Sequence, residues 1–191
     1  MELRDKADAA EFLDQIINQA LESLYIDLCN CDWYVREHEI VNLFVFNHLV
    51  PVFQQKHLDL SQIGIEFPVL KVRSSPKEKM GARKDVVIWP TAKTTLWKDC
   101  HVTSITTWED VVRTGRRPFA IMEWKNLSKF MTDPLGARRK HEDDVAWLLS
   151  NSRADMVSLG YAVLVDQTGP GVALNCRRIQ NGECAHFLAL P

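Results

Sequence analysis

Apolar side chains near the N-terminus recur at helical spacing. From about residue 5 to residue 28 they line one face of a helix, at Phe12, Ile16, Ile17, Ala20, Leu21, Leu24 and Tyr25. Residues 35–53 are apolar around more of the circumference, which is typical of a buried helix. The chain is therefore predicted to begin with an amphipathic helix followed by a buried one.

From Pro68 onward the apolar pattern changes to that of strands. PVLKVRS and RKDVVIWP flank a polar turn and predict a hairpin, whereas residues 91–117 are polar and give no clear assignment. RPFAIMEWKN alternates, so one face of this strand is predicted to carry Phe119, Ile121, Glu123 and Lys125, with Trp124 in the core behind it.

The C-terminal part returns to helical spacing before two further strand patterns. Asp133 and Pro134 predict the N-cap and first turn of a helix that runs toward Met156, and Gly160 is expected to end it. YAVLVDQ predicts a buried strand, and VALNCRRI with CAHFLAL predicts an edge hairpin. The order of elements predicts a single α/β domain over residues 1–191, with a mixed central sheet flanked by helices.

Composition narrows the class of protein. The 191 residues are 46% hydrophobic and 25% charged, which is ordinary for a globular domain. The net charge of −2 means that attraction to nucleic acid has to come from local basic clusters. The charged N-terminus and the lack of a long apolar run argue against secretion and membrane insertion. Five cysteines without zinc-finger spacing favour buried thiols and a cytoplasmic location.

Acidic and basic side chains occur together in two of the predicted strands. Glu123 and Lys125 are two residues apart and so share a face, and Asp85 opens an otherwise apolar strand where an unpaired charge would be costly. Carboxylates are the hard oxygen ligands that Mg²⁺ prefers, and an ammonium beside them can stabilise negative charge on a phosphate. These residue types are those that metal-dependent phosphodiester hydrolysis requires.

RKDVVI followed by IMEWK resembles the PD-(D/E)XK nuclease superfamily, in which an acidic residue on one strand precedes a (D/E)xK triplet on the next. The resemblance covers about residues 35–166 and implies a restriction-endonuclease-like core of helix, three strands, helix and strand, with an extra N-terminal helix and C-terminal hairpin. It implies that Asp85 and Glu123 are ligands of Mg²⁺, with Mn²⁺ as a substitute, and that Lys125 positions the attacking water. A glutamate on the preceding helix is a further expected ligand, with Glu37 favoured over Glu39.

The chain departs from the superfamily pattern in two places. Lys84 precedes Asp85 where the name of the signature has proline, and a long polar stretch separates Asp85 from the ExK triplet. Within that stretch, Asp99, Glu109 and Asp110 are alternative partners of Glu123.

Basic residues gather around the predicted centre and are expected to contact phosphates. The candidates are Lys84, Arg116, Arg117, Arg138, Arg139 and Lys140. DNA is expected rather than RNA, and a homodimer is one way to cut both strands. The acidic run Glu142-Asp143-Asp144 is interpreted as stabilising the start of a helix through its dipole.

Two alternatives to an enzyme stay open. One is a noncatalytic member of the same fold that binds nucleic acid or protein. The other is an unrelated mixed α/β domain in which Glu123 and Lys125 form a surface ladder, with Asp85 far away.

Overall fold

A computed structural model of the protein describes residues 2–3, 8–30, 36–70, 81–92 and 117–191. The helices in these ranges are α1 (Ala9–Cys29), α2 (Glu37–Leu43), α3 (Val50–Gln55) and α4 (Pro134–Arg153), with a π-helix at Phe44–Leu49 and a 3₁₀ turn at Leu60–Gln62. The strands are β1 (Ile63–Leu70), β2 (Gly81–Ile88), β3 (Ala120–Ser128), β4 (Leu159–Gln167), β5 (Ala173–Gln180) and β6 (Glu183–Leu190).

The six strands form one mixed sheet in the order in which they occur in the chain. β3 and β4 are parallel, and every other neighbouring pair is antiparallel. A parallel pair cannot be joined by a tight turn and needs a crossover, which α4 supplies. The predicted mixed α/β architecture, including the N-terminal helix and the C-terminal hairpin, is confirmed at this level.

Helices cover both faces of the sheet, as the alternation in β3 requires. Met122 and Trp124 point toward the layer of α1–α3 and the π-helix, where the centroids of the Trp124 and Phe44 rings are 4.9 Å apart. Ile121 points toward α4 and packs with Leu148. β3 therefore lies between two apolar layers, and a charged side chain on it has to find its partners inside the protein.

The buried helix predicted over residues 35–53 is present at residues 37–55, but a π-helical turn interrupts it. The Val50 N–H donates to the carbonyl of Val45, five residues back. Pro51 follows directly and has no N–H to donate, so the regular hydrogen-bonding pattern is broken at this point.

One predicted boundary and one predicted strand face are wrong. β1 begins at Ile63 rather than at Pro68. Phe119 precedes β3 and packs on the α1–α3 side of the sheet, away from the face predicted for it.

Gly160 does not end a helix. α4 ends at Arg153, and Gly160 lies inside β4. A Cβ at Gly160 would lie 3.1 Å from Leu148 Cδ2 and 3.3 Å from Ile179 Cβ, so a larger residue would require these neighbours to shift where α4 approaches the sheet.

Two further sequence predictions concern membranes and thiols. None of the helices that the structure describes is long and apolar enough to cross a membrane. Cys176 is buried, whereas Cys29 and Cys184 are exposed, contrary to the prediction of buried thiols.

We expect packing of α4 on the sheet to contribute strongly to stability. Leu148 is fully buried, so Leu148→Ala should lower the free energy of unfolding by about 2–5 kcal/mol through the cavity it leaves. Leu135 lies on the same helix but is 73% exposed, so Leu135→Ala is a matched control that should change it by less than about 0.5 kcal/mol. Urea unfolding of the two variants measures the difference, and equal losses would contradict the assigned packing of α4.

Candidate active site

The candidate site lies where β2 and β3 part. Their pairing runs from Ile88↔Ala120 to Val86↔Met122. Beyond this point the Trp124 N–H donates to Asp85 Oδ2 at 2.7 Å, and the Trp124 carbonyl accepts from Lys125 Nζ at 2.5 Å. Side chains of the predicted site thus bond backbone groups that the neighbouring strand no longer reaches.

Lys125 links the two helical layers at this gap. Its Nζ lies 3.4 Å from Glu37 Oε1 on α2 and 3.2 Å from Asp144 Oδ2 on α4. Burial alone would lower the pKa of Lys125, but Glu37, Asp144 and Asp85 together raise it above its ordinary value. Lys125 is therefore held as an ammonium among carboxylates.

Glu123 is buried, and Lys84 is its direct partner. The Lys84 ammonium forms an ion pair with Glu123 Oε1, and both side chains are almost fully enclosed. The same ammonium lies 3.5 Å from the centroid of the half-buried Trp147 ring, within cation–π range. Burial raises the pKa of Glu123 to about 7, opposed by Lys84 and reinforced by Asp85 and Asp144.

The structure distinguishes the two helix glutamates. Glu37 reaches Lys125, and burial, with a contribution from Asp85, raises the pKa of Glu37 above its ordinary range against the effect of Lys125. Glu39 instead turns back to the start of α2, where its Oε2 accepts from the Arg36 N–H at 2.8 Å. The favoured candidate, Glu37, is the one that lies at the gap.

Six side chains make up what we call the carboxylate–lysine cluster. Its members are Glu37, Lys84, Asp85, Glu123, Lys125 and Asp144. Four carboxylates and two ammonium groups leave an excess of negative charge when all are ionised. Among the described residues, no three His, Cys, Asp or Glu side chains form a ready metal-binding group. The carboxylates are bonded to the lysines or to the backbone instead.

Asp144 was missed as a site residue by the sequence analysis. The acidic run that contains it was assigned to the start of a helix, but α4 begins at Pro134 and its first turn holds no acidic residue. The dipole interpretation is therefore wrong. His141 and Leu148 are both buried. The helical spacing of Asp144 from these two residues is the signal that places Asp144 on the inward side of α4.

The predicted phosphate-binding residues lie in different settings. Lys84 is buried with Glu123, Arg117 pairs with Asp155, and Arg138 pairs with Asp166. Arg139 is exposed, with its Nη2 4.0 Å from Asp133 Oδ2. Arg116 lies outside the described residues, as do Asp99, Glu109 and Asp110.

A pocket of about 530 Å³ opens beside the cluster. Glu37 and Lys125 line the side toward the cluster, and Lys140 with the loop between β3 and α4 lines the other. In that loop Phe130 is 71% exposed. The pocket therefore joins charged groups of the cluster to a surface that carries both an ammonium and an aromatic ring.

Comparisons of the chain with protein-family models, with curated proteins and with solved structures found no match. The family therefore stays a prediction from the motifs around Asp85 and Glu123.

The geometry tests one alternative, the unrelated domain in which Glu123 and Lys125 form a surface ladder and Asp85 lies far away. Glu123 is 5% exposed, and Asp85 bonds the backbone of the ExK triplet itself, so neither condition of that alternative holds.

The raised pKa of Glu123 predicts a pH dependence of stability. Between its ordinary value of 4.5 and about 7, the folded protein keeps a proton on Glu123 that the unfolded chain releases. The stability of the wild type relative to Glu123→Gln should therefore fall by about 3 kcal/mol as the pH rises through this interval. Urea unfolding from pH 4.5 to 7.5 in a chelating buffer measures the change.

Glu142→Gln provides the control, because the stability of the wild type relative to this variant should not fall over this pH interval. Hydrogen bonds from Arg177 lower the pKa of Glu142, so its contribution is present above its ordinary pKa and is lost as the pH falls below it. A flat difference between wild type and Glu123→Gln across pH 4.5–7 would contradict the burial of an ionisable Glu123.

Proposed function

We propose that the chain is a Mg²⁺-dependent nuclease of the PD-(D/E)XK type, with a restriction-endonuclease-like fold, that hydrolyses phosphodiester bonds in DNA. The observation that supports this most directly is the meeting of Asp85, Glu37 and the Lys125 ammonium at the gap between β2 and β3. The order α2, β1, β2, β3, α4, β4 also corresponds to the core that the motif resemblance implies.

The chemistry of the cluster fits a divalent cation. It offers hard oxygen donors with excess negative charge, and among them Asp144 Oδ2 lies 3.2 Å from the Lys125 ammonium. Asp85, Glu123 and Glu37 would hold the cation. A bound Mg²⁺ polarises the phosphate and lowers the pKa of a bound water.

The protein's own groups orient and stabilise the reacting atoms. The Trp124 N–H fixes one oxygen of Asp85 and so sets the direction of that carboxylate. Lys125 is fixed through the Trp124 carbonyl, and its raised pKa keeps it charged at neutral pH. A fixed ammonium at this position stabilises negative charge on the scissile phosphate and orients a water beside it.

The pocket beside Lys125 is the candidate binding site for the substrate. Its volume suits a nucleotide unit, since ligand pockets typically span about 300–1,000 Å³. Lys140 offers a contact to a neighbouring phosphate, and the exposed ring of Phe130 offers a surface for a base. Arg139, which is also exposed, extends the basic surface along α4.

The first test is cleavage of linear DNA with Mg²⁺, Mn²⁺ or EDTA. We expect cleavage with either metal and none with EDTA. Asp85→Asn and Lys125→Met should each lower the rate by about 100-fold or more, because a ligand or a stabilising charge is lost. Asp143→Asn is the matched control, since Asp143 is exposed and neighbours Asp144 on α4.

Metal-dependent cleavage that survives in both Asp85→Asn and Lys125→Met would overturn the proposal, because the activity would then arise elsewhere. DNA binding without cleavage under any metal condition would favour the noncatalytic alternative. Circular dichroism of each variant shows whether the fold is retained.

Glu37 and Glu39 allow a second, closely matched test. Glu37→Gln removes the carboxylate that faces Lys125 and should lower the cleavage rate by about 10–100-fold. Glu39→Gln should leave the rate near that of wild type, because glutamine can still accept the Arg36 N–H in the capping box. Steady-state cleavage rates of the two variants provide the measurement, and the reverse order would identify Glu39 as the functional carboxylate.

A further inference from the structure

Lys84 has a role that the proposed function leaves unexplained. The sequence suggests a phosphate contact, but Lys84 is 7% exposed and its ammonium points inward. A buried lysine that faces a carboxylate is not available to a polymer passing over the surface. Its buried position beside Glu123 indicates a role within the cluster.

Two contacts hold the Lys84 ammonium in place. One is the ion pair with Glu123, and the other is the face of the Trp147 ring, 3.5 Å from Nζ to the ring centroid. Both are electrostatic and together they offset the cost of burying a positive charge. Trp147 comes from α4, so the ammonium lies between that helix and β3.

The Lys84 ammonium contacts Glu123 Oε1, an oxygen that a metal ion bound to Glu123 would also contact. A carboxylate that is ion-paired with an ammonium presents less negative charge to any other cation. A divalent ion and an ammonium in direct contact with the same carboxylate oxygen would also repel each other. Lysine has a flexible four-carbon stem, so the ammonium can withdraw without movement of the backbone.

We propose that Lys84 is an internal counter-cation that occupies Glu123 until a divalent cation replaces it, so that Lys84 lowers the metal affinity of the site. This inference rests on the proposed use of a metal by the cluster. Without metal, the Lys84 ammonium stays in contact with the buried Glu123. With metal, Lys84 leaves both Glu123 and Trp147.

Metal affinity tests the inference without any nucleic acid. The wild type and Lys84→Met, both stripped of metal, are titrated with Mn²⁺ and followed by electron paramagnetic resonance. Lys84→Met should bind Mn²⁺ at least about tenfold more tightly than the wild type, because the ammonium that competes with the metal for Glu123 is gone. Misfolding would weaken binding, so the expected change has the opposite sign from a structural defect.

Lys140→Met is the control for net charge. It removes the same charge from the edge of the adjoining pocket but does not free Glu123, so we expect a change of less than about threefold. Equal gains in Lys84→Met and Lys140→Met would show a general electrostatic effect and overturn the inference.

Tryptophan fluorescence reports the displacement directly. Addition of Ca²⁺ to the wild type should change the emission of Trp147 as the ammonium leaves its ring, and the change should be absent in Trp147→Phe and in Lys84→Met. Lys140→Met should retain it. An identical Ca²⁺ response in wild type and Trp147→Phe would overturn the inference even if Lys84→Met failed to fold.

The outcomes separate this inference from the nuclease proposal. Tighter metal binding by Lys84→Met in a protein that cuts no DNA would support the counter-cation role and refute the nuclease. DNA cleavage by the wild type, together with unchanged metal affinity in Lys84→Met, would support the nuclease and refute the counter-cation role. Failure of both proteins to bind Mn²⁺ and Ca²⁺ would overturn the inference.

Discussion

The parting of β2 and β3 beyond the Val86–Met122 pair is the constraint on which the site depends. Buried backbone groups need hydrogen-bond partners, and those of Trp124 lose the neighbouring strand at this point. The Asp85 carboxylate bonds the N–H and the Lys125 ammonium bonds the carbonyl. Two opposite charges are thereby fixed on either side of one residue, so the hydrogen bonds that satisfy the backbone also position the Asp85 and Lys125 side chains.

Charge balance explains why the rest of the cluster comes from both layers of the protein. Lys125 lies between Glu37 on α2 and Asp144 on α4, so each helical layer supplies one carboxylate. Glu123 is enclosed more deeply and is paired with Lys84 on the strand next to it. The cluster remains rich in negative charge, which is the condition under which a buried site takes up a cation.

The sequence predicted the parts of this protein that depend on local periodicity. The alternation in β3 correctly placed Ile121 apart from Trp124, and Asp133 caps α4 as predicted, with Oδ1 accepting from the Gly136 N–H at 2.8 Å. Local signals could not show that Glu39 caps its own helix or that Asp144 faces Lys125, because both depend on where separate elements pack. The burial of Lys84 could not be predicted for the same reason, since it depends on Trp147 of α4.

The pairs that define the cluster are far apart along the chain. Lys84 and Glu123 are separated by 39 positions, and Glu37 and Lys125 by 88. Closing loops of this length costs entropy before the contacts that they bring together are made, so such contacts slow folding more than local ones do. We therefore expect the opposing charges to come together after local structure has formed, so that partly folded chains expose them separately to water.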